Sequence, residues 1–236
     1  MILSVGLPSA ARPDSALPPK FQRAPYAVMS LTIGHPNAGW QVRAKRLRPS
    51  KFLRIKAGSE LQSYGHPALV LMLGRSAREL FRAAPGSVML VGDLSGAKGG
   101  PLAGHRSHQS GRDADVGFYA LDPKGKPATP TALVAFGPDG RARDGSGLTF
   151  DDRRNWLLVD SWARDERAGL SHIFVARHLR QRLLAHAQTH GASAERVTQA
   201  AMLLKQPEDS SPHDDHFHVR VSCPKRQTEI CKEQSR

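Results

Sequence analysis

The chain has 236 residues, 39% of them hydrophobic, and a formal net charge of +13. That is the length of one large domain, or of one domain with extensions, with enough apolar side chain for a single core. The charge favours polyanionic partners such as nucleic acid, anionic lipid or an acidic cell-wall polymer, and no run approaches eighteen apolar residues, so no membrane-spanning helix is expected.

Residues 1–27 are rich in Pro, Ala, Ser and Arg without periodicity and read as a flexible leader, leaving 28–236 as a single domain. Met1–Leu7 lacks a basic n-region and is too short for a signal peptide, although Ser9-Ala10-Ala11 has the small-residue character of a cleavage site. Either the true start lies upstream or the chain is already trimmed. Leu31-Thr32-Ile33, Trp40-Gln41-Val42 and Phe52-Leu53-Arg54-Ile55 read as short strands, with a Gly-His-Pro-Asn-Ala-Gly turn between the first two. Pro67–Ala84 reads as a helix: Pro67 suits its first position, Leu69, Met72, Leu73, Leu80 and Phe81 make an apolar stripe, and Pro85-Gly86 ends it.

Val88–Val91 reads as a buried strand. Gly92–Gly104 follows as a glycine-rich loop without a phosphate-binding spacing. Asp113–Leu121 alternates with period two, so Asp113, Asp115 and Gly117 face one way and Ala114, Val116 and Phe118 the other. The long Pro/Gly/Asp segment 123–147 suits an active-site rim or an insertion, with Leu133–Phe136 as a possible strand. Asp151 or Asp152 caps a helix carrying Trp156 and Trp162. A strand over His172–Ala176, a basic helix over Arg177–His190, a helix capped by Ser193 and a last strand over His216–Ser222 complete the pattern. Strands and helices mix irregularly, so the fold class is α+β. Cys223 and Cys231, eight residues apart across Pro224, suit a small disulfide loop and hence an oxidising compartment, with two free thiols as the alternative.

Two clusters carry the chemistry. Gly104–Asp115 holds His105, His108, Asp113 and Asp115; His213–Val221 holds three histidines in six positions. A catalytic zinc takes three protein ligands and keeps one open position. His108 from the loop, Asp115 from one strand and His218 from another fit that need. Period two places His216 and Arg220 on the face of His218, and His213 on the lead-in loop can reach the same place. A neutral imidazole there can take a proton, and an imidazolium can steady an oxyanion. His105 and Asp113 are either further ligands or the groups that orient His108 and Asp115.

Gly104-His105-Arg106-Ser107-His108-Gln109-Ser110-Gly111-Arg112-Asp113-Ala114-Asp115 and His213-Asp214-Asp215-His216-Phe217-His218-Val219-Arg220 resemble the two motif halves of the penicillin-insensitive murein endopeptidases. These belong to the lysostaphin-like and D-Ala-D-Ala metallopeptidases. Tyr64-Gly65-His66-Pro67, Val91-Gly92-Asp93-Leu94-Ser95, Asn155-Trp156, His172-Ile173-Phe174-Val175 and Cys223-Pro224…Cys231 look like further landmarks. The resemblance implies a small central antiparallel sheet flanked by helices and long loops. It implies zinc held by His108, Asp115 and His218, with His213 and His216 as the catalytic histidines. It also implies hydrolysis of peptidoglycan peptide cross-links in the periplasm, insensitive to β-lactams. Some members hold a second zinc through an Asp-x-x-His; here Asp144-Gly145-Ser146-Gly147 lacks that histidine, so one ion is expected.

Arg106 and Arg220 are candidate anchors for a carboxylate of a stem peptide. Two other readings stand beside the hydrolase. A basic nuclease or nucleic-acid binder fits the charge, but no recognition motif appears and an aromatic share of 6% offers few stacking platforms, so no nucleic-acid partner is expected. A catalytically silent cell-wall binder is the other, and the intact ligand set argues against it.

Overall fold

The computed structural model describes residues 17–207 and 211–233. β1 (Leu31–His35) and β2 (Ala38–Val42) form the expected antiparallel hairpin. β3 (Lys45–Arg46), β4 (Leu53–Ile55) and β5 (Tyr64–Gly65) lead to α1 (Pro67–Ala83) and β6 (Met89–Val91). The glycine-rich loop then leads to β7 (Asp113–Gly117). β8 (Ala120–Leu121), β9 (Pro127–Ala128) and β10 (Thr149–Phe150) form a small separate sheet. α2 (Asp152–Ala163), β11 (Leu170–Phe174), α3 (Arg177–Thr189), α4 (Ala194–Leu203), β12 (Leu204–Lys205) and β13 (His216–Val221) follow.

Six strands make the main sheet, in the order β12-β11-β13-β7-β6-β4. Its centre, from β11 through β13 and β7 to β6, is antiparallel. Its two outer pairs, β12 with β11 and β4 with β6, are parallel. The α+β class therefore holds, but the sheet is mixed rather than purely antiparallel. The reason is connectivity: β4 reaches β6 through α1, and β11 reaches β12 through α3 and α4, and helical crossovers of this kind join parallel strands.

Alternation splits the sheet into a dry face and a polar face. Ala114 and Val116 of β7 and Phe217, Val219 and Val221 of β13 join the main core, where Phe217 meets Trp162 of α2 edge-on at 5.6 Å between centroids. α1 adds Leu69, Met72, Leu73 and Leu80, all essentially inaccessible to water. Each such side chain contributes about 1.5–3 kcal/mol of transfer free energy. The opposite face of β7 and β13 presents Asp113, Asp115, His216, His218 and Arg220, which the register sets side by side.

Two strand expectations fail locally, and part of the expected leader is ordered. The strand expected over Asp113–Leu121 breaks after Gly117, because the Tyr119 N–H and C=O bond the side-chain amide of Asn155 instead of a ladder. Leu133–Phe136 is not a strand: the Phe136 N–H donates to the Asp214 carbonyl and its own carbonyl meets His178 Nε2. Of the leader expected over 1–27, residues 1–16, with their possible signal and cleavage site, lie outside the described residues. Residues from Leu17 onward form two short 3-10 turns, and Leu17 and Phe21 join Leu31, Ile33, Val42 and Ile230 in a second small core.

Candidate metal centre

β13 lies beside β7 in antiparallel register, pairing His218 with Asp115 and Arg220 with Asp113. The loop before β7 folds back over this face and delivers His108. It turns on glycine: a Cβ at Gly99 would overlap the Gln109 carbonyl oxygen, so no other residue allows that approach. His108 itself has φ of 69°, the left-handed region that few non-glycine residues adopt. It is held there by two bonds. Its N–H donates to Asp113 Oδ2 at 3.3 Å, and its Nδ1 bonds the Leu94 carbonyl at 2.6 Å. With Nδ1 committed to a carbonyl, Nε2 is the nitrogen left to face inward.

Three atoms then converge. His108 Nε2 lies 3.3 Å from Asp115 Oδ1 and 3.2 Å from His218 Nδ1, and His218 Nδ1 lies 3.2 Å from Asp115 Oδ1. Four ligands at 2.0–2.2 Å around a tetrahedral ion sit roughly 3.3–3.6 Å apart, and the sides of this triangle lie at or just under that spacing. Further donors crowd around it. His105, His108 and Asp115 offer ligand atoms within 4.8 Å of one another, and so do His213, His216 and His218.

Asp113 supports the triangle from beneath. It is fully buried and takes bonds from Arg220 Nε and, at 3.0 Å, from His218 Nε2. Burial disfavours its charge, but Arg220 and His218 outweigh that and hold the carboxyl well below the usual range. Asp115 is likewise held well below its ordinary value, against its burial, chiefly by His108 and His216. Asp93 bonds His105 Nε2 at 3.0 Å, and that bond leads the effects that lower its pKa.

The two remaining histidines differ in charge. His216 lies between carboxylates, with Nδ1 2.6 Å from Asp215 and Nε2 3.3 Å from Asp115. Burial works against its charge, but Asp115 and Asp215 prevail and push its pKa up to about 10. His213 is lowered to about 4, first by burial and then by His216 and His218, and its Nδ1 has no hydrogen-bond partner. Its ring centroid is 5.2 Å from that of His216 and 5.6 Å from that of His218.

A cleft of about 1330 Å³ opens over these groups and is lined by both clusters. Arg106 is exposed on its lip, whereas Arg220 is only 3% exposed and directed at Asp113. Asp144 is exposed in its own turn, accepting the Ser146 N–H, and does not line the cleft. A disulfide joins Cys223 and Cys231. The motif clusters did not reveal Asp215 as the partner of His216, the Leu94 carbonyl on His108, or Phe174, whose ring stacks on His218 with centroids 5.5 Å apart. Leu94 and Phe174 sit inside landmark segments of the sequence, which was the signal available.

Residues 32–236 match the sequence profile of a family described as penicillin-insensitive murein endopeptidase. A curated protein of that name from Escherichia coli O6:K15:H31 (strain 536 / UPEC) is 29% identical over 188 residues, which are 78% of this chain and 63% of the relative. Its counterpart in Escherichia coli O157:H7 is 28% identical over the same share. The chain thus spans a little under two thirds of the length of these curated relatives. Since the matched residues include both arms of the cleft and the strands between them, the chain belongs to the penicillin-insensitive murein endopeptidase family.

Proposed function

We propose that the protein is a zinc-dependent endopeptidase that hydrolyses peptide cross-links in peptidoglycan, with residues 28–236 acting as one catalytic domain. The observation that carries this reading is the triangle of His108 Nε2, Asp115 Oδ1 and His218 Nδ1, with sides of 3.2–3.3 Å. Two imidazoles and a carboxylate with a roomy open side are the donor set of a catalytic zinc rather than a structural one. One ion is expected, because Asp144 stands apart from the cleft. When bound, zinc supplies Lewis-acid chemistry: it lowers the pKa of water towards about 7 and polarises a carbonyl.

The chain's own groups supply the rest. Asp113 and the Leu94 carbonyl fix the two ligand imidazoles, so little reorganisation accompanies reaction. His213, neutral at working pH and with an unpartnered Nδ1, accepts a proton from the attacking water. His216, kept charged by Asp215 and Asp115, stabilises negative charge growing on the scissile carbonyl oxygen. Groups pushed apart in pKa within one site divide the acid and base roles in this way. His105, tied to Asp93 through Nε2, sets its Nδ1 3.7 Å from Asp115. Arg106 is an exposed cation on the cleft lip, where a stem-peptide carboxylate can approach it. The disulfide suits an oxidising compartment, and the periplasm, where the substrate lies, is the home that follows.

The test is conversion of cross-linked muropeptide dimers to monomers by purified protein. Chelation is expected to abolish conversion and added zinc to restore it. His108→Ala is expected to lose bound zinc and activity together. Undiminished conversion by chelated protein, or by the His108→Ala protein, would overturn the assignment.

A further inference from the structure

One row of the sheet crosses the cleft floor. Lys205 on β12 pairs with Phe174 on β11, Phe174 with His218 on β13, and His218 with Asp115 on β7. Residues paired across strands project from one face. The near-parallel stack of Phe174 on His218 shows that this face is the one bearing the metal centre. Lys205 is exposed on the cleft wall, and its charge bears on His172, the neighbour of Phe174 on that face.

The cleft's described acids are otherwise engaged. Asp214 pairs with Arg143, Asp215 with His216, and Glu233 with Arg112. No described carboxylate lies within ion-pair distance of the Lys205 ammonium. A cation on a cleft wall, with an aromatic platform between it and the reaction centre, suits a carboxylate carried by the substrate.

We propose that Lys205 forms a carboxylate-binding subsite, which sets where along a peptide the cut falls. The inference rests on the endopeptidase reading of the same cleft. Neighbouring strands lie about 4.8 Å apart, so Lys205 stands roughly 10 Å from His218 along the row. An extended peptide unit spans about 3.3–3.6 Å, so the bound carboxylate lies about three units from the bond that is cut. Phe174 lies beneath the units between.

The experiment uses the intact protein and a cross-linked stem-peptide dimer in two forms, with free carboxylates and with those carboxylates amidated. Binding of labelled dimer is followed by fluorescence anisotropy with chelator present, and turnover is followed separately with zinc. Lys205→Gln is expected to weaken binding and raise KM about fivefold for the free-acid dimer, the scale of an exposed ion pair, with kcat within about twofold. The amidated dimer is expected to show no dependence on residue 205, and Lys205→Arg to retain most of the affinity. Equal losses for both dimers, unchanged binding, or a fall in kcat alone would overturn the subsite. Should free-acid dimer bind in a Lys205-dependent way and yet never be cleaved with zinc present, the endopeptidase reading falls and the subsite stands.

Discussion

Asp113 makes no contact with the open cleft, yet three groups lean on it: the His108 N–H, His218 Nε2 and Arg220 Nε. Replacing it by Asn keeps the size and removes the charge that orients His218. Asp113→Asn is expected to weaken zinc affinity by about 10–100-fold, measured by competition with a chromogenic chelator, while the fold persists by circular dichroism. Unchanged affinity would remove Asp113 from the support of the centre. At this scale the sequence was partly legible. Period two correctly put Asp113 with Asp115, and His216 with His218 and Arg220. It could not say that β7 and β13 are neighbours in a register that brings Arg220 to Asp113. From sequence alone Arg220 looked like a substrate anchor equal to Arg106, and only the pairing separates a buried arginine from an exposed one. Lys205 was silent for the same reason and Phe174 carried no more than its landmark segment, since their place in the row depends on two long-range pairings.

Helices were the most readable elements, because apolar spacing and caps are local. Asp151 and Ser193 cap α2 and α4 through side-chain bonds to Arg154 N and Arg196 N, as their residue types suggest. The cap of α1 is less ordinary. Residue His66 accepts the Ala68 N–H through Nδ1, and its own N–H donates to the Gly111 carbonyl of the site loop. Burial, helped by Arg112, lowers its pKa from 6.5 to about 4. A protonated Nδ1 cannot accept, so the unfolded chain binds the proton first. The stability from this group is thus complete above pH 6.5 and is lost as pH falls through about 4. Between those values the wild type is expected to lose about 1–3 kcal/mol more than His66→Asn, which caps without titrating. Denaturant midpoints across that range check it, and parallel slopes for the two proteins would refute it. Strand ends were harder to read, because Asn155 and His178 take backbone bonds of Tyr119 and Phe136 from far along the chain.

Over the whole molecule, the segment after β13 ties three regions together. Arg112, wholly buried, donates to the carbonyls of Val221 and Lys232 and pairs with Glu233. Glu233 also accepts the Cys223 N–H, and Gln227 bridges Thr32 and Ser30 beside the β1–β2 hairpin. The disulfide closes a short loop through this assembly. Such a loop contributes about 2–3 kcal/mol, so Cys223→Ala with Cys231→Ala, or a reductant, is expected to lower the melting temperature by about 5–10 °C. An unshifted melting curve would show that the clamp holds without its covalent closure. The cysteine spacing made the loop legible from the sequence, but its anchor did not, since Arg112 looks there like one more of many surface arginines. β13 lies at the middle of the main sheet, yet it follows every other strand of that sheet in the chain. A ribosome therefore delivers the central strand last. Until it arrives, β7 and β11 face an empty slot, and His108 and Asp115 wait without His218. A partly made chain thus lacks the assembled centre, and the gap between those strands is where a stalled intermediate would offer itself to chaperones or to a stray strand.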